Sequence, residues 1–235
     1  MAERIVATCM DRRLPQKIGA IADGIHVSNA GCNIAVMRDT LVALARQDKE
    51  IREIVAYVHT DCGAMGAVDD ARNGHVHKYG GRIKHTLLDV FMGRSWKGRD
   101  DLERRENVGV QLKALEEIPA LVGREIAVRV ELIETSAIKV PEIDHSEFAL
   151  LILKPSESSV PEAISKAGLK QFATYVVQLL NVSEALGDIE LTINNLHVGR
   201  VVLGVAASSK AQTLSDKQTL KSAFPNLEPE EAYVE

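Results

Sequence analysis

Two short stretches bring together residue types that can hold a metal. Cys9 stands in "CMDRR" at 9–13, and His59 and Cys62 stand in "HTDCG" at 59–63, each directly after an apolar run. Two thiolates and an imidazole form a soft donor set that suits zinc. Singly, each of these residues is more often buried in a core or capping a helix. Jointly they favour one metal centre. Three protein ligands leave a fourth tetrahedral position open, which marks a catalytic rather than a structural site. Asp11 and Arg13 lie two residues apart, on one side of an extended segment. An ion pair between them would hold Asp11 ionised and fixed in direction. A carboxylate so oriented can accept a hydrogen bond from metal-activated water and aim it at an electrophile. A purely structural zinc would need a fourth protein ligand, a place that Asp11 could take.

The three ligands must be carried to one point. Residues 5–8 read as a strand ending at Cys9, 24–28 as a second ending at "NAGCN", and 53–58 as a third ending at His59. Between the last two, Ile34, Met37, Leu41, Leu44 and Ala45 recur at helical spacing. This rhythm, with nearly continuous apolar strands, implies a parallel sheet covered on both faces. The carboxyl ends of neighbouring parallel strands converge on one edge, where ligands bind. Residues 108–118 predict a helix closed by Pro119. Residues 124–141 alternate apolar and polar types, as a strand or hairpin with one exposed face would.

A composition shift at 141–146 divides the chain into a zinc domain, 1–141, and a C-terminal extension, 142–235. In the extension, 147–153 reads as a strand and roughly 162–180 as a helix. Residues 189–193 and 200–206 read as two strands joined by the hairpin turn "NNLHVG". From Ala207 the sequence is polar and weakly patterned, with a mobile end. No internal repeat stands out. The expected fold class is α/β: a mostly parallel central sheet flanked by helices, followed by a C-terminal α+β extension.

Composition excludes several functions. Of 235 residues, 46% are apolar and 26% charged, the balance of an ordinary globular protein. A formal net charge of −5 argues against nucleic acid as a partner. In 99–105, arginines alternate with Asp100, Asp101 and Glu103, which reads as a solvated helix face rather than a phosphate track. No apolar run approaches a membrane span and "MAERIVATCM" has no leader pattern, so the reading is cytoplasmic. Three cysteines are too few for a disulfide framework.

These motifs resemble those of the beta-class carbonic anhydrases: C-x-D-x-R as "CMDRR", an Asn-Ala-Gly turn in "SNAGCN", and H-x-x-C-G as "HTDCG", in the same order and spacing. The match covers roughly residues 4 to 140. The resemblance implies that Cys9, His59 and Cys62 ligate Zn2+, that Asp11 and Arg13 form the orienting pair, and that the Gly63 amide helps hold substrate. It implies a zinc lyase of the carbonate dehydratase type, which hydrates carbon dioxide reversibly to bicarbonate and a proton with hydroxide formed at zinc. It also implies a homodimer or larger homo-oligomer. Ser28 departs from the pattern, because a basic residue commonly precedes the Asn-Ala-Gly turn. Cys32 adds a further thiol, and the extension has no counterpart in the shorter members.

Rival readings remain at this level. The same centre could hydrolyse carbon disulfide or carbonyl sulfide, which are linear electrophiles like carbon dioxide. The chain could instead be a zinc-stabilised scaffold whose extension pairs with another chain's sheet. Asp61 reads as an N-cap for the segment after Cys62, and Cys32 as a small buried residue. Phe91 and Trp96 read as core or interface anchors. His75, His77 and His85 read as solvated, with a proton relay as their sharper alternative.

Overall fold

The computed structural model describes residues 2–19, 23–74, 88–155, 160–196, 198–205 and 210–234. His75, His77 and His85 lie outside them. In the first half, β1 (Arg4–Cys9), β2 (Ile25–Asn29), β3 (Glu53–His59) and β4 (Ala127–Ile133) alternate with α1 (Leu14–Gly19), α2 (Ile34–Gln47), α3 (Gly63–Arg72), α4 (Val108–Glu116) and α5 (Ile118–Val122). In the second, β5 (Ala149–Leu153), β6 (Thr174–Gln178), β7 (Arg200–Val205) and β8 (Glu230–Tyr233) alternate with α6 (Val160–Lys166), α7 (Leu186–Asn195) and α8 (Lys210–Ala223).

All eight strands belong to one sheet, ordered β4-β3-β1-β2-β6-β5-β7-β8. Among the described residues every pairing within each half is parallel, and only β2 and β6 meet antiparallel, at Ser28 and Gln178. Helices on both faces bury β1 and β3, whose Ile5, Val6, Ile54 and Val55 have no exposed surface. Central parallel strands therefore read as unbroken apolar runs. The register Thr8↔Tyr57 and Cys9↔Asn29 lines up the ends of β1, β2 and β3 on one edge.

Several local expectations are corrected. Of the two readings of 124–141, strand or hairpin, the strand holds: β4 is an edge strand parallel to β3, which explains its half-exposed pattern. Pro119 sits in the first turn of α5 rather than closing α4, a position where its missing N–H costs nothing. The helix expected over 162–180 is α6 followed by β6. Gly168 at φ 66 breaks it, with the Gly168 amide bonded to the Ser165 carbonyl and the Leu169 amide to the Ile164 carbonyl. That is a Schellman stop, and the β-branched run after it then pairs with β5.

The strand expected at 189–193, and with it the hairpin, is instead part of α7. "IELTI" alternates over five residues, but Ala185, Ile189 and Thr192 are buried at helical spacing over the longer window. The weakly patterned tail forms α8 and β8 over its described residues, 210–234. Its pattern is faint because α8 buries Thr213 and Asp216 beside a single large apolar residue, Leu220.

The inner face of α7 also carries Asp188. Burial pushes its carboxyl up to about 7, against a hydrogen bond with the Ala30 backbone, and its Oδ2 has no hydrogen-bond partner. An unfolded aspartate titrates near 4, so the folded state binds the extra proton between about pH 4 and pH 7. Stability must fall as pH rises through that window, by up to about 4 kcal/mol. Asp188→Asn is expected to abolish most of this slope. Urea unfolding at pH 5 and pH 8 measures it, and a slope unchanged in the variant would refute the assignment.

Candidate metal centre

β1 and β3 deliver their last residues to the same edge of the sheet. Cys9 closes β1, His59 closes β3, and Cys62 lies three residues further, at the start of α3. Their donor atoms all lie within 4.8 Å of one another, and all three residues are buried. The Cys9 and Cys62 sulfurs are 4.0 Å apart. Among the described residues this group holds three donors, not four.

The chemistry of the three fits a divalent cation. His59 Nδ1 is 2.8 Å from the Thr60 carbonyl, so that nitrogen carries the proton and Nε2 presents its lone pair. Nε2 is buried with no hydrogen-bond partner. A buried acceptor left bare costs about 1–3 kcal/mol, unless a ligand takes it. The two sulfurs are pushed in opposite directions. Sharing a hydrogen bond holds the Cys62 thiol low and, with burial, pushes the Cys9 thiol up. One proton is thus shared between them, and both could be thiolates only with a cation between them. Burial opposes protonation of His59, but without a cation the nearby Cys62 and Asp11 charges outweigh it and bring the imidazole to about 9, so a proton competes with a metal for the Nε2 lone pair. The cluster thus attracts positive charge, which a metal ion supplies. Zn2+ suits a donor set of two sulfurs and one nitrogen.

The loop after β2 supports Cys9. Gly31, at φ 73, aims its amide at Cys9 Sγ from 3.2 Å, and only glycine takes that backbone angle at little cost. Asn29 clips the turn by accepting from the Asn33 amide at 2.8 Å and donating to the Asn33 carbonyl at 3.0 Å. Cys32 is fully buried beside it, and burial pushes its thiol up, so it stays a neutral, unreactive packing residue.

Asp11 and Arg13 do meet. The Arg13 guanidinium donates to both Asp11 oxygens, at 2.8 and 2.7 Å, and the Arg13 amide adds a third bond at 2.9 Å. Burial would raise the Asp11 carboxyl, but these bonds hold it below the usual range. The same guanidinium donates to the Asp61 carbonyl at 2.9 Å, tying the Cys9 loop to the Cys62 loop.

Asp61 is not the N-cap of α3. Cys62 occupies that position, and Asp61 takes a left-handed turn at φ 53 that aspartate tolerates. The anchor of this loop is Glu103, which the sequence placed on a solvated face. It is only 4% exposed. One oxygen accepts from the Asp61 amide at 2.9 Å, and the other accepts from the Cys62 amide at 3.0 Å and from Arg99 Nε at 2.9 Å. Arg99 also donates to the Cys62 carbonyl at 3.0 Å. The acid–base alternation in 99–105 gave no signal of this, since Arg104 and Arg105 do face solvent. Outer partners of this kind typically change metal affinity 10–100-fold. Glu103→Gln is therefore expected to weaken zinc retention roughly 10-fold or more and to lower stability by about 1–3 kcal/mol. Chelator competition and thermal unfolding measure both. Unchanged retention would remove Glu103 from the site.

A cavity of about 360 Å³ opens beside the centre, lined by Cys9, Asp11, Arg13, Gly63 and Ala64 from the first half and by Tyr175, Leu191 and Leu196 from the second. Gly63 begins α3 at its rim, with open space where a side chain would stand. The three second-half residues were not legible as site residues, because local pattern disguises the elements that carry them. Phe91 and Trp96 are core residues, packed edge to face at 6.4 Å, with Trp96 Nε1 donating to Asp69 at 2.7 Å. Among the described residues no helix is long and apolar enough to cross a membrane.

No protein-family model and no curated protein matches the chain. Solved structures do. A carbonic anhydrase from Glaciozyma antarctica is 21% identical, over 59% of this chain and 79% of its own, with a TM-score of 0.37. The beta-carbonic anhydrase isoform I of Trichomonas vaginalis is 21% identical over 60% and 81%, at 0.40. A tetrameric beta-carbonic anhydrase of Sordaria macrospora is 21% identical over 60% and 80%, at 0.41. Each of these three solved structures, to which the chain is similar, is a carbonic anhydrase.

Proposed function

We propose that the chain binds one zinc ion through Cys9, His59 and Cys62 and catalyses reversible hydration of carbon dioxide to bicarbonate and a proton. The observation that carries this reading is the buried three-donor group with an unpartnered imidazole nitrogen and a paired Asp11–Arg13 at its side. When bound, zinc supplies Lewis acidity, bringing the pKa of water from 15.7 to about 7.

The chain's own residues do the rest. Arg13 holds Asp11 ionised, so the carboxylate accepts a hydrogen bond from the attacking oxygen and aims its free lone pair into the cavity. Because the carboxyl is held below its ordinary range, this acceptor stays ionised at neutral pH. The two loops, clamped by Arg13 and Glu103, keep the three donors in place as charge moves. The Gly63 amide, at the rim, offers a donor to substrate oxygen. Leu191 and Leu196 exclude water from the far wall, and an uncharged linear molecule suits that surface. Homo-oligomerisation belongs to the same proposal. Since β6 already pairs with the edge of β2, further copies would meet through another face.

Stopped-flow proton release on mixing with carbon dioxide tests the activity. The expected result is a rate that tracks zinc content and is abolished by a chelator. A rate at the uncatalysed level in zinc-replete protein would overturn the proposal.

A further inference from the structure

The strand order reads the same from either end. On one side of the β2–β6 junction stand β2, β1, β3 and β4; on the other stand β6, β5, β7 and β8. Chain order repeats as well. In each half the second strand lies at the junction, the first lies inside it, and the third and fourth follow outward. The junction is antiparallel, as a twofold axis through it requires, and it pairs Ser28 with Gln178.

Taking Ser28 and Gln178 as equivalents, the ladders carry the match onward. Thr8 lies opposite Ser28 and Leu153 opposite Gln178, which equates Ala7 with Ile152 one residue earlier. Those two lie opposite Ala56 and Leu203. Counting seven residues on from Ala56 and from Leu203 reaches Gly63 and Lys210, where α3 and α8 begin. The helical connection after the second strand is also matched in length. α2 has 14 residues, and the turn Val182–Ala185 with α7 has 4 and 10. Finally α1 and α6, related by the axis, pack against each other.

Continued along the sequence, the same count aligns Lys154, Ala206 and Ser209 with Cys9, His59 and Cys62, Ala206 and Ser209 lying outside the described residues. None preserves a ligand. Lys154 directs its ammonium to Asp216 at 2.9 Å and to the Leu180 carbonyl at 2.6 Å. Where the first half gathers donors for a cation, the second carries a cation of its own.

From this we infer that the chain is two fused copies of one α/β unit. The first keeps the metal ligands; the second has lost them and serves as a built-in partner, walling the cavity with Tyr175, Leu191 and Leu196. The attachment is direct. The Val176 amide donates to the Met10 carbonyl at 3.2 Å, and Ser28 Oγ donates to the Val176 carbonyl at 2.7 Å. Arg12, between Asp11 and Arg13, lies over the Phe148 ring at 5.0 Å and hydrogen-bonds the Phe172 carbonyl. These contacts fix the strand carrying Tyr175 against the loop carrying Cys9. The repeat stands on topology alone, and the substrate-facing role of its wall rests on the function proposed above.

The test uses the full chain, wild type and with Tyr175→Phe or Leu196→Trp. Three quantities are read: zinc per chain, kcat/KM for carbon dioxide, and azide affinity from the visible absorption of cobalt-loaded protein. Specific activity is also followed on dilution from micromolar to nanomolar. The expected result is one zinc per chain throughout and at least about a fivefold change in kcat/KM and in azide affinity for Leu196→Trp. Activity per chain should be constant on dilution, because the wall is supplied in cis. Variants that keep zinc but leave both kcat/KM and azide affinity at wild-type values would overturn the wall. Activity that collapses on dilution would overturn the built-in partner, with the proposed activity still standing. A wild-type chain that takes up no zinc or cobalt would overturn both readings together.

Discussion

Cys62→Ser protein is expected to purify without stoichiometric zinc and to show no chelator-sensitive hydration of carbon dioxide. Cys62 is 1% exposed and stands 4.0 Å from Cys9. A serine hydroxyl at that place is a harder, far less acidic donor, and it cannot share negative charge with Cys9 Sγ. Removing an outer partner costs about 10–100-fold in metal affinity, so losing one of three direct donors should exceed that range. Fold loss must be separated from metal loss. The Cys62 amide and carbonyl, not the thiol, make the bonds to Glu103 and Arg99, and those survive the substitution. Circular dichroism should therefore remain that of the native protein while elemental analysis shows the metal gone. A variant with full zinc and full turnover would remove Cys62 from the centre and end the zinc reading of the whole cluster.

Asp11→Asn is expected to do the opposite: retain zinc but lose turnover. The carboxylate accepts three hydrogen bonds from Arg13, two of them from a guanidinium whose own pKa they raise. An amide of the same shape keeps one acceptor and presents a donor where the attacking oxygen needs an acceptor. General acid–base groups contribute about 10²–10⁴-fold, so a loss of about 10²–10³-fold in kcat is expected with zinc content near wild type. The pH dependence separates this from simple destabilisation. The folded-state carboxyl titrates below 3.8, so the Asp11–Arg13 pair contributes stability that is present above the unfolded value and lost as pH falls through the folded one. The variant should therefore be less stable than wild type at neutral pH and equal to it in strong acid. Denaturant unfolding across that range measures the convergence. Turnover within twofold of wild type would show that Asp11 only braces the loop.

Local chemistry was legible in the sequence wherever it was compressed into a few neighbouring residues. Cys9, Asp11 and Arg13 share one stretch and His59 and Cys62 another. Each follows an apolar strand buried on both faces, and such strands announce themselves as unbroken runs. The α/β class, the parallel core and the meeting of the three donors follow from that pattern. Glu103 was illegible for the converse reason. It sits 41 residues from Cys62 among exposed arginines, and nothing in its own neighbourhood marks it as buried. In the second half local pattern misleads, since alternation over "IELTI" fits a strand as well as a helix when the window is five residues. Its relation to the first half was decided only in three dimensions. Strand order, register and helix phase are properties of pairing, and they persist after side-chain identity has drifted beyond recognition. The sequence by itself singled out the three residues, Cys9, His59 and Cys62, that are proposed here to hold a metal. Tertiary structure alone decided what stands opposite them, because β6 reaches β2 across about 150 residues of chain, a closure that no local pattern encodes.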